Sequence, residues 1–287
     1  MELSEVRVNI DRVDNEIKKL FEERMHLSDE VARVKAEKSD SIYKPEREIE
    51  IIDRLTEGVD PSIKMEYTAL IKRIMEVSRK YQYGRTLELK NCLDIKYSTE
   101  LPDIKTAAVL KDEYYLLAED KNIKLKDYNS TIDMAKAVLS GEVDAGVGVL
   151  EDIGFSVADG LHRILCENEL YINACRVIQD ELSSRVAKKK VVEFTKELVV
   201  RPDDNRLKIM FVCENKSGSL ASVLSMISDY GINLTEIHST PDENPDWNYV
   251  FIAELRCSFN DKTTKALVFQ LENETQYFKV LGSYKIN

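Results

Sequence analysis

Glycine and proline are scarce, with 10 and 6 residues in 287, which excludes a collagen-like chain or a glycine- and proline-rich disordered one. No apolar run approaches the roughly 20 residues of a membrane span. Met1 leads directly into Glu2, Glu5 and Arg7 without the apolar core of a signal peptide, so a cytosolic protein with no membrane partner is expected. The cysteines are few: Cys92, Cys166, Cys175, Cys213 and Cys257 lie 9 or more positions apart, odd in number and without a CxxC pair. They are expected to be reduced, mostly packed thiols rather than a disulfide framework or a zinc site. Positive charge is in deficit, 41 Lys and Arg against 52 Asp and Glu, for a net charge of −11. Such a balance repels a phosphate backbone, so nucleic acid is not an expected partner. What remains, 43% apolar and 32% charged, is an ordinary globular composition, and the length suggests about two domains.

The strongest periodic signal lies in residues 2–38. Val6, Ile10, Val13, Ile17, Leu20, position 24, Leu27, Val31 and Val34 recur at alternating spacings of four and three, which predicts one long amphipathic helix. At about 1.5 Å per residue it runs roughly 55 Å, more than a small domain covers by itself, so it is expected to pack against a second subunit. Pro45 opens a second, shorter helix through Ile49, Ile52 and Leu55, ended by Gly58. Asp60 and Pro61 start a third, carried by Ile63, Tyr67, Leu70, Ile71, Ile74, Val77 and Tyr81 to about Gly84. Residues 1–86 thus read as three helices.

From Cys92 to about residue 200 the texture becomes α/β: strands at Thr106–Leu110, Ala145–Leu150 and Leu170–Ile178, and a helix at Thr131–Leu139. The basic run Arg185, Lys188, Lys189, Lys190 is read as a solvated helix face. Gly146 and Gly148 lack the third glycine of a dinucleotide fingerprint, because position 151 is Glu, and that reading is weak. Residues 205–287 run strand Lys208–Cys213, a Gly218-led helix to Tyr230, strands Asn233–His238 and Tyr249–Leu255, helix Thr264–Leu271 and strand Phe278–Tyr284. That order is βαββαβ, a ferredoxin-like α+β sandwich. The fold class is therefore multidomain, with all-α, α/β and α+β segments in turn.

Arg24 occupies a position that the four-three spacing reserves for an apolar residue. It either snorkels and pairs with Glu23 or Asp14, or faces an anion. Lys35 lies 11 positions on, about 20° past three full turns, so a second cation shares nearly the same face and shifts the balance toward an anion site. Arg7 is about 100° off that face and about 25 Å away, out of reach of the same pocket in one chain but within reach of a partner's in an antiparallel dimer. Arg47 and Glu48 lie on the second helix, and Ser78 and Gln82, at i and i+4, share one face of the third. The set suits a compact dicarboxylate that also carries neutral oxygens.

These residues stand in the segments VRVNIDRVDNEI, EERMHLSDEVARVK, YKPERE and IMEVSRKYQ, through which residues 1–86 resemble the all-helical chorismate mutase domain. The resemblance implies an intertwined homodimer that converts chorismate to prephenate without a cofactor or metal, in phenylalanine and tyrosine biosynthesis. It implies that Arg24 and a partner's Arg7 bind the carboxylates, with Arg47 and Ser78 assisting, that Lys35 and Gln82 donate to the ether oxygen, and that Glu48 holds the ring hydroxyl. Lys44 departs from the pattern, since many relatives place an acid there.

Residues 205–287 resemble the ACT regulatory domain, through NKSGSLASVLSMISDYGINLTEIHSTP and the closing VLGSY. The resemblance implies an effector, phenylalanine or another amino acid, at Gly218, Ser219, Leu220, His238 and Ser239, and a second pairing of subunits, which leaves both a dimer and a higher oligomer open. His238 and Thr240 replace the family's Glu and Arg, and His238 otherwise reads as a polar strand tip. The middle segment, TIDMAKAVLSGEVDAGVGVLED, resembles part of prephenate dehydratase. Its Pro-Ile-Glu-Asn motif reads Val149, Leu150, Glu151, Asp152, its Thr-Arg-Phe motif reads Val192, Glu193, Phe194, and residues 178–191 leave no room for a second lobe. The expectation is a chorismate mutase with an ACT sensor and an inactive dehydratase remnant. The alternatives are a bifunctional mutase/dehydratase and a non-catalytic regulatory partner of aromatic-pathway enzymes.

Overall fold

The structure is a computed structural model that describes residues 2–111, 123–153, 156–157, 159–180, 187–241 and 249–286. It divides into two compact units, Met1–Leu93 with Ala266–Glu274, and Asp94–Lys265 with Thr275–Asn287.

The first unit holds α1 (Leu3–Lys38), α2 (Pro45–Thr56) and α3 (Lys64–Leu89). α1 ends where Ser39 turns left-handed, at φ 51°, inside the polar break. Pro45 opens α2 as expected, since its missing N–H costs nothing there. α3 starts at Lys64, later than Asp60 and Pro61 suggest: the Asp60 carboxylate instead accepts the Ser62 N–H at 2.9 Å and fixes a preceding turn. It also runs five residues past Gly84 rather than ending there. α1 lays Ser28 and Ala32 against α3, whose buried stripe is Met75, Ser78, Arg79, Gln82, Tyr83 and Thr86. Small residues on α1 let the two backbones approach. The periodic seam is consequently left unused within the chain: Ile10, Ile17, Leu20 and Leu27 are all more than half exposed, at 52, 51, 66 and 60%. Residues Ala266–Glu274, the later part of α7 (Lys262–Glu274), belong to this unit, with Phe269 edge-on to Tyr83 at 5.3 Å.

In the second unit the described strands form one ten-stranded sheet, in the order β2-β1-β3-β6-β5-β10-β7-β9-β8 with β4 beside β3. Its first part contains β1 (Thr106–Leu110), β2 (Lys124–Tyr128), α4 (Thr131–Ser140), β3 (Ala145–Ile153), β4 (Ser156–Val157), α5 (Asp159–Glu167), β5 (Tyr171–Asp180) and β6 (Ala187–Thr195). Its second part contains β7 (Arg206–Val212), α6 (Ser219–Asp229), β8 (Asn233–Pro241), β9 (Tyr249–Arg256), the start of α7 and β10 (Tyr277–Tyr284), in the βαββαβ order expected. The shared core includes Met134, Leu165, Ile172, Phe194, Met210 and Ile252.

One reading needs correction, two elements were missed, and the weak dinucleotide reading is explained. The basic run is not a helix face: Lys188, Lys189 and Lys190 lie on β6, paired with β3 and β5, and Lys190 is buried, while Arg185 falls outside the described residues. β2 and α5 were not anticipated. Gly146 is no phosphate-binding turn, because it lies inside β3, where an added Cβ would sit 2.2 Å from a ring carbon of Phe194.

The α/β and ferredoxin-like parts are joined by a parallel pairing of β5 with β10, at Ile172 and Gly282. A Cβ on Gly282 would meet the Ile172 carbonyl oxygen at 2.3 Å, and this obstacle is backbone that cannot rotate away. Gly282→Ala is expected to destabilise the second unit by about 1–3 kcal/mol, measured as a lower thermal midpoint; an unchanged midpoint would show that the splice tolerates a side chain.

Candidate active site

Arg24 lies on the α3-facing side of α1. Its Nη1 donates to Ser78 Oγ and, at 3.4 Å, to the Ile74 carbonyl, so the guanidinium turns toward α3 rather than toward Glu23 or Asp14. Ser78 Oγ also donates to the Ile74 carbonyl at 2.8 Å, which holds it in place. Burial lowers the Arg24 pKa, and the charge of Glu48 opposes that shift. Lys35 is half-buried and donates from Nζ to the Ile42 carbonyl at 2.7 Å. Burial, then the neighbouring Lys44, lowers its pKa, while Asp40 and Glu48 work to raise it.

The charge of Glu48 thus acts on both cations, and its Oε1 accepts from Arg79 Nη1. One turn past Ser78, the buried side-chain oxygen of Gln82 has no hydrogen-bond partner among the described residues. Five of the expected residues, Arg24, Lys35, Glu48, Ser78 and Gln82, thus gather on the inner faces of α1, α2 and α3. They comprise two partly desolvated cations, a hydroxyl, an amide whose oxygen is unpartnered among the described residues, and a carboxylate.

Two do not join them within the chain. Arg47 is exposed and pairs with Glu50 at 2.9 Å, and Arg7 is exposed on α1. Lys44, the departure, pairs with Asp40 at 2.5 Å, so its charge is locally offset. Arg79 was missed. Only 7% exposed, it lies on the Met75–Arg79–Gln82–Thr86 stripe, a cation at an apolar-spaced position of the kind that marked Arg24.

At the C-terminal candidates, Gly218 caps α6 at φ 89°, a left-handed backbone that suits glycine, and Ser219 and Leu220 open the helix. His238 and Ser239 lie on the edge strand β8. The His238 Nε2 faces inward, 3.6 Å from Glu151 Oε2, and its ring lies 6.1 Å from that of His162.

Beside it sits a buried knot of charge. Lys190 Nζ donates to Glu236 and to Glu254, the latter at 3.0 Å, and lies 3.6 Å from Glu151. Lys208 approaches Glu236 at 3.4 Å, Arg206 approaches Glu254 at 3.5 Å, and Tyr284 donates to Glu254 at 2.7 Å. Among the described residues, Glu151, Glu236 and His238 form a trio near enough to share a metal ion. The Lys190 ammonium already occupies the place among these carboxylates, and three cations face three anions, so the cluster reads as an ion-pair knot.

Residues 6–83 match the family Chorismate mutase type II, and residues 208–273 match the ACT domain. A chorismate mutase of Methanocaldococcus jannaschii is 35% identical over 85 residues, covering 28% of this chain and 86% of that protein. A bifunctional chorismate mutase/prephenate dehydratase of Aquifex aeolicus is 23% identical over 359 aligned positions, covering 99% of this chain and 98% of that one. A prephenate dehydratase of Arthrobacter aurescens, solved with L-Phe, superposes with a TM-score of 0.53 at 14% identity, over 63% of this chain and 90% of that one, and shows the shared fold. Fold and sequence together define a helical mutase domain followed by a dehydratase-like α/β sheet region and an ACT domain. The chain belongs to the type II chorismate mutase family.

Proposed function

We propose that the α1–α2–α3 site rearranges chorismate to prephenate. The observation that carries this reading is the convergence of Arg24, Lys35, Glu48, Ser78 and Gln82 on the inner faces of the three helices. The reaction breaks an ether bond as a carbon–carbon bond forms, within one molecule, so it requires no nucleophile. The protein needs to hold the compact conformer and to stabilise charge developing on the ether oxygen. Arg24, braced by Ser78, takes one carboxylate; Lys35 Nζ and the Gln82 Nε2 N–H donate to the ether oxygen, and Glu48 accepts from the ring hydroxyl. The exposed α1 seam is covered by a second copy of the chain, which brings in Arg7 for the other carboxylate, with Arg47 turning in when substrate binds. L-phenylalanine, the ligand of the Arthrobacter aurescens relative, is the effector we assign to the ACT domain.

A second activity is favoured by the full-length likeness to the Aquifex aeolicus bifunctional enzyme. That likeness supports dehydration of prephenate better than an inactive remnant, in spite of the altered motifs at Glu151 and Val192–Phe194. One paired assay tests both activities. Chorismate supplied to the purified chain is expected to give prephenate, and prephenate supplied at neutral pH is expected to give phenylpyruvate faster than in buffer, with L-phenylalanine slowing the second step. No loss of chorismate would refute the mutase reading. Phenylpyruvate at the buffer rate would return the α/β segment to a non-catalytic role.

A further inference from the structure

Arg79 lies between two carboxylates in the helical unit. Its Nη1 donates to Glu48 Oε1, its Nε donates to Glu274 Oε1 at 3.0 Å, and its guanidinium lies 4.8 Å above the Tyr43 ring. The Arg79 side chain is 9% exposed and that of Glu274 only 2%. Gln270 Nε2 donates to the same Glu274 oxygen at 3.0 Å, so the anchoring carboxylate is itself held. A planar guanidinium with several donors can bridge two acids at fixed angles, which a lysine ammonium cannot do.

We propose that Arg79 is a positioning residue for the mutase reaction: anchored by Glu274, it fixes the Glu48 carboxylate so that the oxygen it leaves free accepts the ring hydroxyl of the substrate. This rests on the mutase reading above. Arg79 touches no substrate in this account and acts only through Glu48. The site thereby depends on a residue 195 positions away in the chain.

The test compares chorismate with an analogue that lacks the ring hydroxyl, for which an aimed Glu48 has no value. Arg79→Met is expected to lower kcat/KM for chorismate about 10- to 100-fold, the size of a lost charge-assisted hydrogen bond, and to leave the rate on the analogue at the wild-type level. Arg79→Lys is expected to recover part of the loss. Glu274→Gln, which leaves the Arg79–Glu48 contact in place, is expected to show a smaller loss confined to chorismate. Because Arg79→Met leaves two acids without their cation, these milder variants keep the proposal testable if it does not fold. In Arg79→Met/Glu48→Gln the two effects are expected not to add. Equal losses on both substrates, additive effects, or wild-type rates on chorismate in all variants would overturn the positioning role. A wild-type chain that leaves chorismate untouched would instead overturn the mutase reading itself.

Discussion

Arg24→Ala is expected to lower kcat/KM for chorismate by about 100- to 1,000-fold, the cost of removing a preorganised donor from a site where charge must be held. The guanidinium is half-buried, and its position is set by Ser78 and the Ile74 carbonyl before any substrate arrives. That preorganisation makes it valuable, because the protein does not reorganise during the reaction. The fold should survive: the packing of α1 on α3 rests on Ser28 and Ala32, which the substitution leaves alone, and truncation removes a desolvated charge rather than an apolar contact. The Ser78 hydroxyl would keep its bond to the Ile74 carbonyl. Ser78→Ala should therefore cost less, since it removes only one neutral partner of a cation that remains. The measurement is steady-state loss of chorismate, with helicity followed by circular dichroism. Near-wild-type kcat/KM in Arg24→Ala would mean that the carboxylate is bound elsewhere.

Arg24 was legible because a long helix repeats its environment every three or four residues, so one cation at an apolar position stands out against eight apolar neighbours. Ser78 and Gln82 share a face of α3 by their i, i+4 spacing, but alone they are bland, and only the cations beside them and the resemblance to the mutase domain marked them. The same periodicity marked a seam that the chain does not bury, and it cannot report what covers a face. Arg79 carried an equivalent signal, but nothing local announces the acids that hold it: Glu48 is 31 positions away and Glu274 is 195. Lys190 shows the limit most plainly. In a basic run it reads as solvated, and only Glu236 and Glu254, 46 and 64 positions downstream on other strands, make its burial tolerable. The alternation of a half-buried strand was likewise hidden in β6, where two lysines precede the buried Lys190 and the apolar pair Val191 and Val192.

The altered motifs of the middle segment acquire a physical setting in the same sheet. Val192 and Phe194 are buried in the shared core, and Phe194 packs onto the bare backbone of Gly146. The neighbouring Thr195 hydroxyl is occupied, accepting from Asn173 at 2.8 Å and donating to the Glu197 carbonyl at 3.0 Å. Glu151, by contrast, stands with Oε2 toward the His238 imidazole, 3.6 Å from Nε2.

Lys190→Met carries the largest expected effect on stability. The substitution keeps the length of the side chain and removes the charge at the centre of Glu151, Glu236 and Glu254, of which Glu254 is 3% exposed at the side chain. Removing one partner of a buried ion pair costs about 3–5 kcal/mol, because the other charges stay behind. Lys208 and Arg206 remain near Glu236 and Glu254, so the acids are not wholly abandoned. The dependence on pH gives the sharper signature. Burial disfavours the Lys190 cation, but its hydrogen bonds to Glu236 and Glu254 outweigh that cost and raise its pKa, so its contribution is full below the ordinary lysine value and fades as pH rises through the raised one. Burial likewise opposes ionisation of Glu254, yet Lys190 and Tyr284 outweigh it and lower its pKa, so this contribution is full above the ordinary carboxylate value and fades as pH falls through the lowered one. The wild-type knot thus stabilises the second unit across the neutral range. In Lys190→Met, Glu254 loses the cation that contributes most to offsetting its burial, so its protonation is favoured and stability should rise as pH falls from neutral toward the carboxylate range. The gap between the two proteins, a thermal midpoint difference of roughly 10 °C at neutral pH, should therefore narrow on acidification. Hydrogen exchange in β6 and β9 reports the same unit locally. A variant whose midpoint matches the wild type at neutral pH, or whose deficit widens in acid, would show that Lys190 is not what compensates these carboxylates.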